Sequence, residues 1–346
     1  MGLGACVAVA AVARLIGSAL QLGLETALAL VLGLAVGATS SIRPRLIPGA
    51  TLASRYALRA GITLLGARLT LGQLLATGAA SIVGIVLVVS VALALGTWLA
   101  RRLGVVPPLS ALITVGMAIC GNSAILALSP IIGAKHRDTA YAVSTITIFG
   151  LIGVLVLPVV GRVFHMSDPV FGTWAGLAVN DTAQVVATGY AFSPGAGDVA
   201  TVVKLTRNLA ILPVLLGATW FVARSAASST EGATPAAGAG PTPSRLALVS
   251  RAVPWFVVGF VVVAGLRSAG LLDVPVPGGG TLADLCSTVA ALLILVALAG
   301  VGMATDVRSL RAVGGRPFVL AAVMWVVIGL LALVVATTIG GLAGPL

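Results

Sequence analysis

Charge is what this chain has least of. Asp, Glu, Lys and Arg make up 8% of its 346 residues, against 59% hydrophobic, and mean hydropathy is +1.16. Soluble domains carry about 25% charged residues, so a core wrapped in a solvated surface cannot be built from this composition. Histidine is confined to His136 and His165, without HExxH spacing, which argues against metalloenzyme chemistry. Cys6, Cys120 and Cys286 lie far apart and suggest neither a disulfide framework nor a CxxC metal site. Only five residues precede Cys6 and none is basic, which argues against a signal peptide. No GxxxxGK[ST], serine elbow or paired-carboxylate signature occurs. A non-enzyme without a cofactor is therefore expected, apart from H⁺ or Na⁺ as a coupling ion.

The net charge of +11 does not point to nucleic acid. The basic residues are scattered between apolar runs rather than gathered with aromatics, and they read as topology signals. What the chain does have is oily runs near the ~20 residues that cross a bilayer. Eleven spans are expected, at about 3–20, 24–40, 52–70, 75–100, 108–132, 139–161, 169–192, 198–223, 252–270, 283–304 and 317–343. The stretch 224–251, rich in Ser, Thr, Gly, Pro and Ala, reads as a flexible linker. It separates N-terminal helices (1–107) and a core (108–223) from C-terminal helices (252–346). Arg43, Arg45, Arg55, Arg59, Arg101 and Arg102 fall in even-numbered connections, as do most later arginines. Positive-inside bias then places the N-terminus in the cytoplasm. Arg55, Arg59 and Arg68 could instead lie inside the third span.

Two internal echoes suggest duplication. Residues 60–89 resemble 298–327, in opposite orientation. Residues 120–161 resemble 179–217, each running from a polar cluster through Ser-Pro to Leu-Pro-Val. Eleven full crossings would make this second pair parallel, so inversion requires a re-entrant element.

The polar clusters carry the functional reading. Cys120-Gly121-Asn122-Ser123 interrupts an apolar stretch. Irregular backbone is tolerated at membrane depth only against protein or a cavity, so helix breaks are expected at 118–124 and 178–184. A half-helix N-terminus there suits an anion; close helix packing by small residues is the alternative. Asp181, with Asn180, Thr182 and Gln184, lies in the second cluster. An intramembrane carboxylate costs ~2.5–3.5 kcal/mol even on a lenient scale. Asp181, helped by Asn180 and Thr182, can therefore carry a proton or Na⁺, or it can pair with Lys204 or Arg207. Those two cations share a helix face at i, i+3 and either balance an anion or snorkel to the interface. Ser144, Thr145 and Thr147 are candidate cavity-lining hydroxyls, although such groups also bond helix carbonyls. Asp306, Arg308 and Arg311 read as a solvated corner.

At these motifs the sequence resembles the YeiH-type sulfate exporter family of bacterial inner-membrane proteins. "RAGITLLGARLTLGQL", "GMAICGNSAILALSPII", "STITIFGLIGVLVLPVVG", "AQVVATGYAFSP" and "GMATDVRSLRAVGGRP" fall in the family's order. The resemblance implies a multi-pass secondary transporter distantly similar to the bile-acid/sodium symporter fold, with crossed, broken helices and a second panel of helices. Its substrate would be sulfate or a related sulfur oxyanion or sulfonate. Cys120-Gly121 match the crossing-helix motif, Gln184 its glutamine, and Arg59 and Arg68 its basic positions. Asn180-Asp181 stand where the family has His-Glu, and Asn122-Ser123 where it has small apolar residues.

The expectation is an all-α membrane protein with discontinuous helices and internal repeats. It would export a small anion by alternating access, binding it at Cys120, Gly121, Asn122, Ser123, Asn180, Gln184, Lys204 and Arg207. A passive anion channel or a non-transporting membrane sensor is the alternative. Its partners would be the anion, the bilayer and, as an open option, a second copy of the chain.

Overall fold

The structure is a computed structural model that describes residues 1–20, 25–39, 43–228, 255–277, 279–305 and 315–339. Most of the 224–251 stretch, and Asp306, Arg308 and Arg311, lie outside the described residues. All regular secondary structure among those described is helical, apart from one isolated bridge between Pro275 and Thr281. That follows from the solvent. In lipid a segment must satisfy its own backbone groups, and helices do so without a partner strand.

The helices in order are α1 (Gly2–Leu20), α2 (Glu25–Ala38), α3 (Arg43–Leu52), a π-helical turn (Ala53–Ala57), α4 (Leu58–Leu65) and a 3₁₀ turn (Gly66–Arg68). There follow α5 (Leu71–Leu103), α6 (Pro107–Ala118), α7 (Asn122–Leu128), α8 (His136–Val163), α9 (Asp168–Ala178) and α10 (Thr182–Phe192). The last five are α11 (Pro194–Asn208), α12 (Ile211–Ser228), α13 (Trp255–Ser268), α14 (Leu282–Ala304) and α15 (Arg316–Ile339). Five helical segments are long and apolar enough to cross a bilayer: α5, α8, the α11–α12 run, α14 and α15. Helices α1, α2, α6 and α13 are apolar but shorter.

The expected breaks are present, but the broken helices do not cross. They fold back. Phe171 near the start of α9 stacks on Phe192 at the end of α10, with ring centroids 4.1 Å apart. These two half-helices thus form a hairpin whose tip is Val179–Asp181. A Cβ at Gly116 of α6 would meet the Ile125 side chain of α7, so α6 and α7 also form a hairpin, with its tip at Ile119–Gly121. The expected spans 108–132 and 169–192 are therefore re-entrant, a correction to the eleven crossings. Helix α8 begins beside the base of the first hairpin, where Ser129 and Thr139 hydroxyls are 2.6 Å apart. It ends beside the base of the second, where Arg162 donates to the Ala191 carbonyl at 2.6 Å. The hairpins therefore enter from opposite ends of α8 and meet at their tips. Helix α11 runs alongside α9, with Val199 and Val203 against Gly172 and Gly176, and so runs opposite to α8. The echo between 120–161 and 179–217 is thus inverted: hairpin arm then spanning helix, entered from opposite ends.

Packing divides the helices into two groups. Helices α1–α4, α13 and α14 pack together, and α2 lies so close to α14 that a Cβ at Gly33 would fall on the Ala299 carbonyl. Small residues permit that approach where lipid supplies no hydrophobic drive. The two hairpins, α5, α8, α11 and α15 form the second group, tied by Trp174 Nε1 donating to the Gly329 carbonyl at 2.9 Å. The division differs from a split at 107 and 252, because α5 and α15 both join the hairpin group.

Candidate functional site

The site grows from the hairpin tips. Gly121 has φ +60° and ψ −123°, a conformation that residues with a Cβ resist. It lets the chain turn from α6 into α7, and a Cβ there would sit 3.3 Å from the Asp181 nitrogen. The tips are therefore in contact. Asp181 caps α10, accepting from the Ala183 N–H at 3.0 Å, which satisfies one of the donors a helix start leaves free.

Behind the tips lie Lys204 and Arg207 of α11, both fully buried. The Lys204 ammonium donates to the Ile119 carbonyl at 2.8 Å and to the Val179 carbonyl at 3.0 Å. The Arg207 guanidinium donates to Met117, Ala118, Gly176, Leu177 and Val179 carbonyls at 2.6–3.4 Å. These are the free carbonyls at the C-terminal ends of α6 and α9. Two cations thus meet two negative helix ends, and their donors are taken up by backbone. Neither residue lines the cavity described next, and neither pairs with Asp181 among the salt bridges of the described residues.

In front of the tips is a cavity of about 470 Å³. Asn122, Ser123, Asp181, Thr182 and Gln184 form its hairpin wall, Ser144 and Thr147 its α8 wall, and Thr51, Ser54, Arg55 and Arg59 the facing wall. Thr305 completes the rim. Gln184 is held by donating its amide to the Thr147 carbonyl at 3.1 Å, and it lies so close to Gly150 that a Cβ there would overlap it. The amide oxygens of Asn122 and Gln184 are buried without a protein hydrogen-bond partner. Arg55 is exposed and Arg59 half-buried; each projects from the segment containing the π turn. Such turns insert an extra residue and recur at functional sites. Two guanidinium groups and the positive end of α10 outweigh the one carboxylate of Asp181, so the charge lining the cavity is positive on balance.

Of the sequence candidates, Asn122, Ser123, Asp181, Thr182, Gln184, Ser144 and Thr147 share this cavity. Cys120, Gly121 and Asn180 build the tips behind its surface. Cys120 and Asn180 are buried, with the Asn180 amide 3.1 Å from Met117 sulfur. Thr145 is fully buried and donates to the Tyr141 carbonyl. By sequence Arg55 and Arg59 fit either a connection or the third span, and only Arg59 matches a basic position of the resembled family. Their i, i+4 spacing next to an apolar run was the available signal that both could sit on one face of a helix entering the membrane.

Residues 1–321 match the family described as "Conserved hypothetical protein 698". A "UPF0324 membrane protein" from Clostridium tetani is 33% identical over 312 residues, covering 90% of this chain and 88% of that one. Another from Bradyrhizobium diazoefficiens is 33% identical over 322 residues, covering 91% and 86%. A third from Ralstonia nicotianae is 32% identical over 334 residues, covering 94% and 88%. No solved structure matches the chain. The match runs through both hairpins and the helices that carry the cavity, and the chain belongs to this UPF0324 family of membrane proteins, in keeping with the resemblance noted from its motifs.

Proposed function

We propose that the protein is a secondary transporter of a small anion, working by alternating access, with the cavity in front of the hairpin tips as its binding site. The observation that carries this reading is the facing of Arg55 and Arg59 toward the start of α10 across a cavity of about 470 Å³ between the two helix groups. The anion sits between the two helix groups, so their relative movement can expose it first to one side and then to the other. Arg55 and Arg59 replace Lys204 and Arg207 as its cationic partners. Asn122, Ser123 and Gln184 orient it, and Asp181 with Thr182 handles the coupling proton or Na⁺. The family resemblance favours sulfate or a related sulfur oxyanion or sulfonate as cargo and export as the direction.

The hairpin topology supports an orientation. Arg101, Arg102, Lys135, Arg137 and Arg316 fall at the end of the bundle where the cavity opens, while Arg14, Arg68, Arg162 and Arg267 fall at the other. Positive-inside bias turns the mouth and the N-terminus to the cytoplasm of the bacterial inner membrane.

A ligand that binds only the folded protein raises its apparent stability by mass action. The purified protein is melted with sulfate, thiosulfate and short alkyl sulfonates, with and without Na⁺ and across pH. A rise in Tm with at least one anion and none with matched chloride is expected; no rise with any of them overturns the reading.

A further inference from the structure

The cavity opens at one end, and the geometry points to what closes the other: we propose that Arg68, Asp198 and Tyr190 form the gate that shuts the anion site off from the face opposite its mouth. This deepens the transporter reading and rests on it.

Arg68 ends the 3₁₀ turn after α4, in the group that carries Arg55 and Arg59. Asp198 lies on α11 and Tyr190 on α10, in the hairpin group. The Arg68 Nε is 3.1 Å from an Asp198 carboxylate oxygen. The Tyr190 hydroxyl donates to the other oxygen, and the Arg68 guanidinium lies over the Tyr190 ring, 5.8 Å from its centroid. Asp198 is 8% exposed. The cluster therefore joins the two groups through one buried carboxylate.

Its position suits a gate. Arg68 is nine residues beyond Arg59 on a helical run, and Tyr190 nine beyond Asp181, each about 13 Å along a helix axis. Both displacements lead away from the mouth. Beyond the cluster lie two further cavities, of about 370 and 590 Å³, and Arg68 lines both. The other charged groups around them are Glu25, Arg14, Arg267 and Asp284. The Asp284 carboxylate accepts from the Thr281 N–H and hydroxyl, and Arg267 pairs with Asp273. The Arg68–Asp198 pair is thus the salt bridge, among those of the described residues, that spans the two groups. For the site to open toward these outer cavities, the groups must separate here and the pair must part. Removing one partner of a buried pair destabilises the arrangement that holds it, so loss of either side chain favours the open form.

The test reads which face of the membrane reaches the site. Val143, which lines the anion cavity, is changed to Cys in a Cys286→Ala background; Cys6 and Cys120 are buried, and the same chain without Val143→Cys sets the baseline. Labelling by an impermeant maleimide is timed in intact cells and in inside-out vesicles, with and without sulfate. Without further changes, labelling is expected in inside-out vesicles and at least ten times slower in cells. Asp198→Ala and Arg68→Ala should each raise the rate in cells about tenfold. The exchange Arg68→Asp with Asp198→Arg should bring it back down, and Tyr190→Phe should give an intermediate rate. Rates in cells that stay unchanged in every variant overturn the gate. Should a single variant fail to fold, the exchanged pair and Tyr190→Phe still decide. Protection by sulfate without a change of side refutes the gate and leaves the anion site; a change of side without protection refutes the sulfate site and leaves the gate.

Discussion

Lys204 reaches Val179 across the back of the hairpin tips, its ammonium donating to that carbonyl at 3.0 Å while also bonding the Ile119 carbonyl at 2.8 Å. One side chain thereby fastens the ends of two half-helices that enter from opposite directions. Arg207, one turn along, does the same with five carbonyl-bearing residues. These bonds separate a structural from a binding role for the two cations.

Arg207→Met should cost the fold rather than the affinity. Each buried carbonyl left without a donor costs about 1–3 kcal/mol, and several lose theirs together. The expected result is loss of the monodisperse folded peak in size-exclusion chromatography. Lys204→Met should lower Tm while retaining the rise with sulfate. A folded Lys204→Met protein that no longer responds to sulfate would return the lysine to the binding site.

Arg59→Gln should do the reverse. Its side chain is half-buried at the cavity wall and has no salt-bridge partner among the described residues. Tm without ligand should change little, as for most surface substitutions. The sulfate concentration giving half of the Tm rise should increase at least tenfold, and further in the double variant with Arg55→Gln.

Asp181→Asn leaves the helix cap in place, since asparagine caps as well as aspartate. Insertion and Tm should be retained, and gradient-driven flux in proteoliposomes should disappear. Asp181→Ala should add a loss of about 1 kcal/mol from the missing cap. Full ion-driven flux by the Asn variant would end the coupling role.

Gly121→Ala forces a Cβ into a positive-φ turn and toward the Asp181 backbone. Strain of this kind costs about 1–3 kcal/mol, so a lower Tm is expected together with weaker sulfate stabilisation, because the displaced tip carries Asn122 and Ser123. An unchanged melt would show that the tip relaxes freely.

The breaks were legible in the sequence because Gly121 and Asn180-Asp181 interrupt apolar runs where polar backbone has few tolerable places. The direction of the chain after each break was not. Helices α6 and α7, or α9 and α10, laid end to end match one bilayer-crossing stretch, and hydropathy is the same whether the second arm continues or returns. The inverted relation of 120–161 to 179–217 depended on that hidden choice. Seven of the candidate side chains converge on one cavity because hydroxyls, amides and a carboxylate in oily segments need a polar neighbour. The partners of Lys204 and Arg207 are not legible because they are backbone carbonyls, which every residue has and no sequence pattern marks. Arg59 is marked by the family resemblance, but its place on the cavity wall, and that of Arg55, is not legible, because arginines near a span's end read first as topology signals.

The π turn at Ala53–Ala57 sets the register of everything that follows it on that segment. Each residue advances an α-helix by about 100°, so one residue more or fewer there rotates Arg59 away from α10 and Arg68 away from Asp198 by the same angle. Arg59 and Arg68 are thus geared to a single helical phase, and a one-codon insertion or deletion in the π turn would turn both from their partners at once.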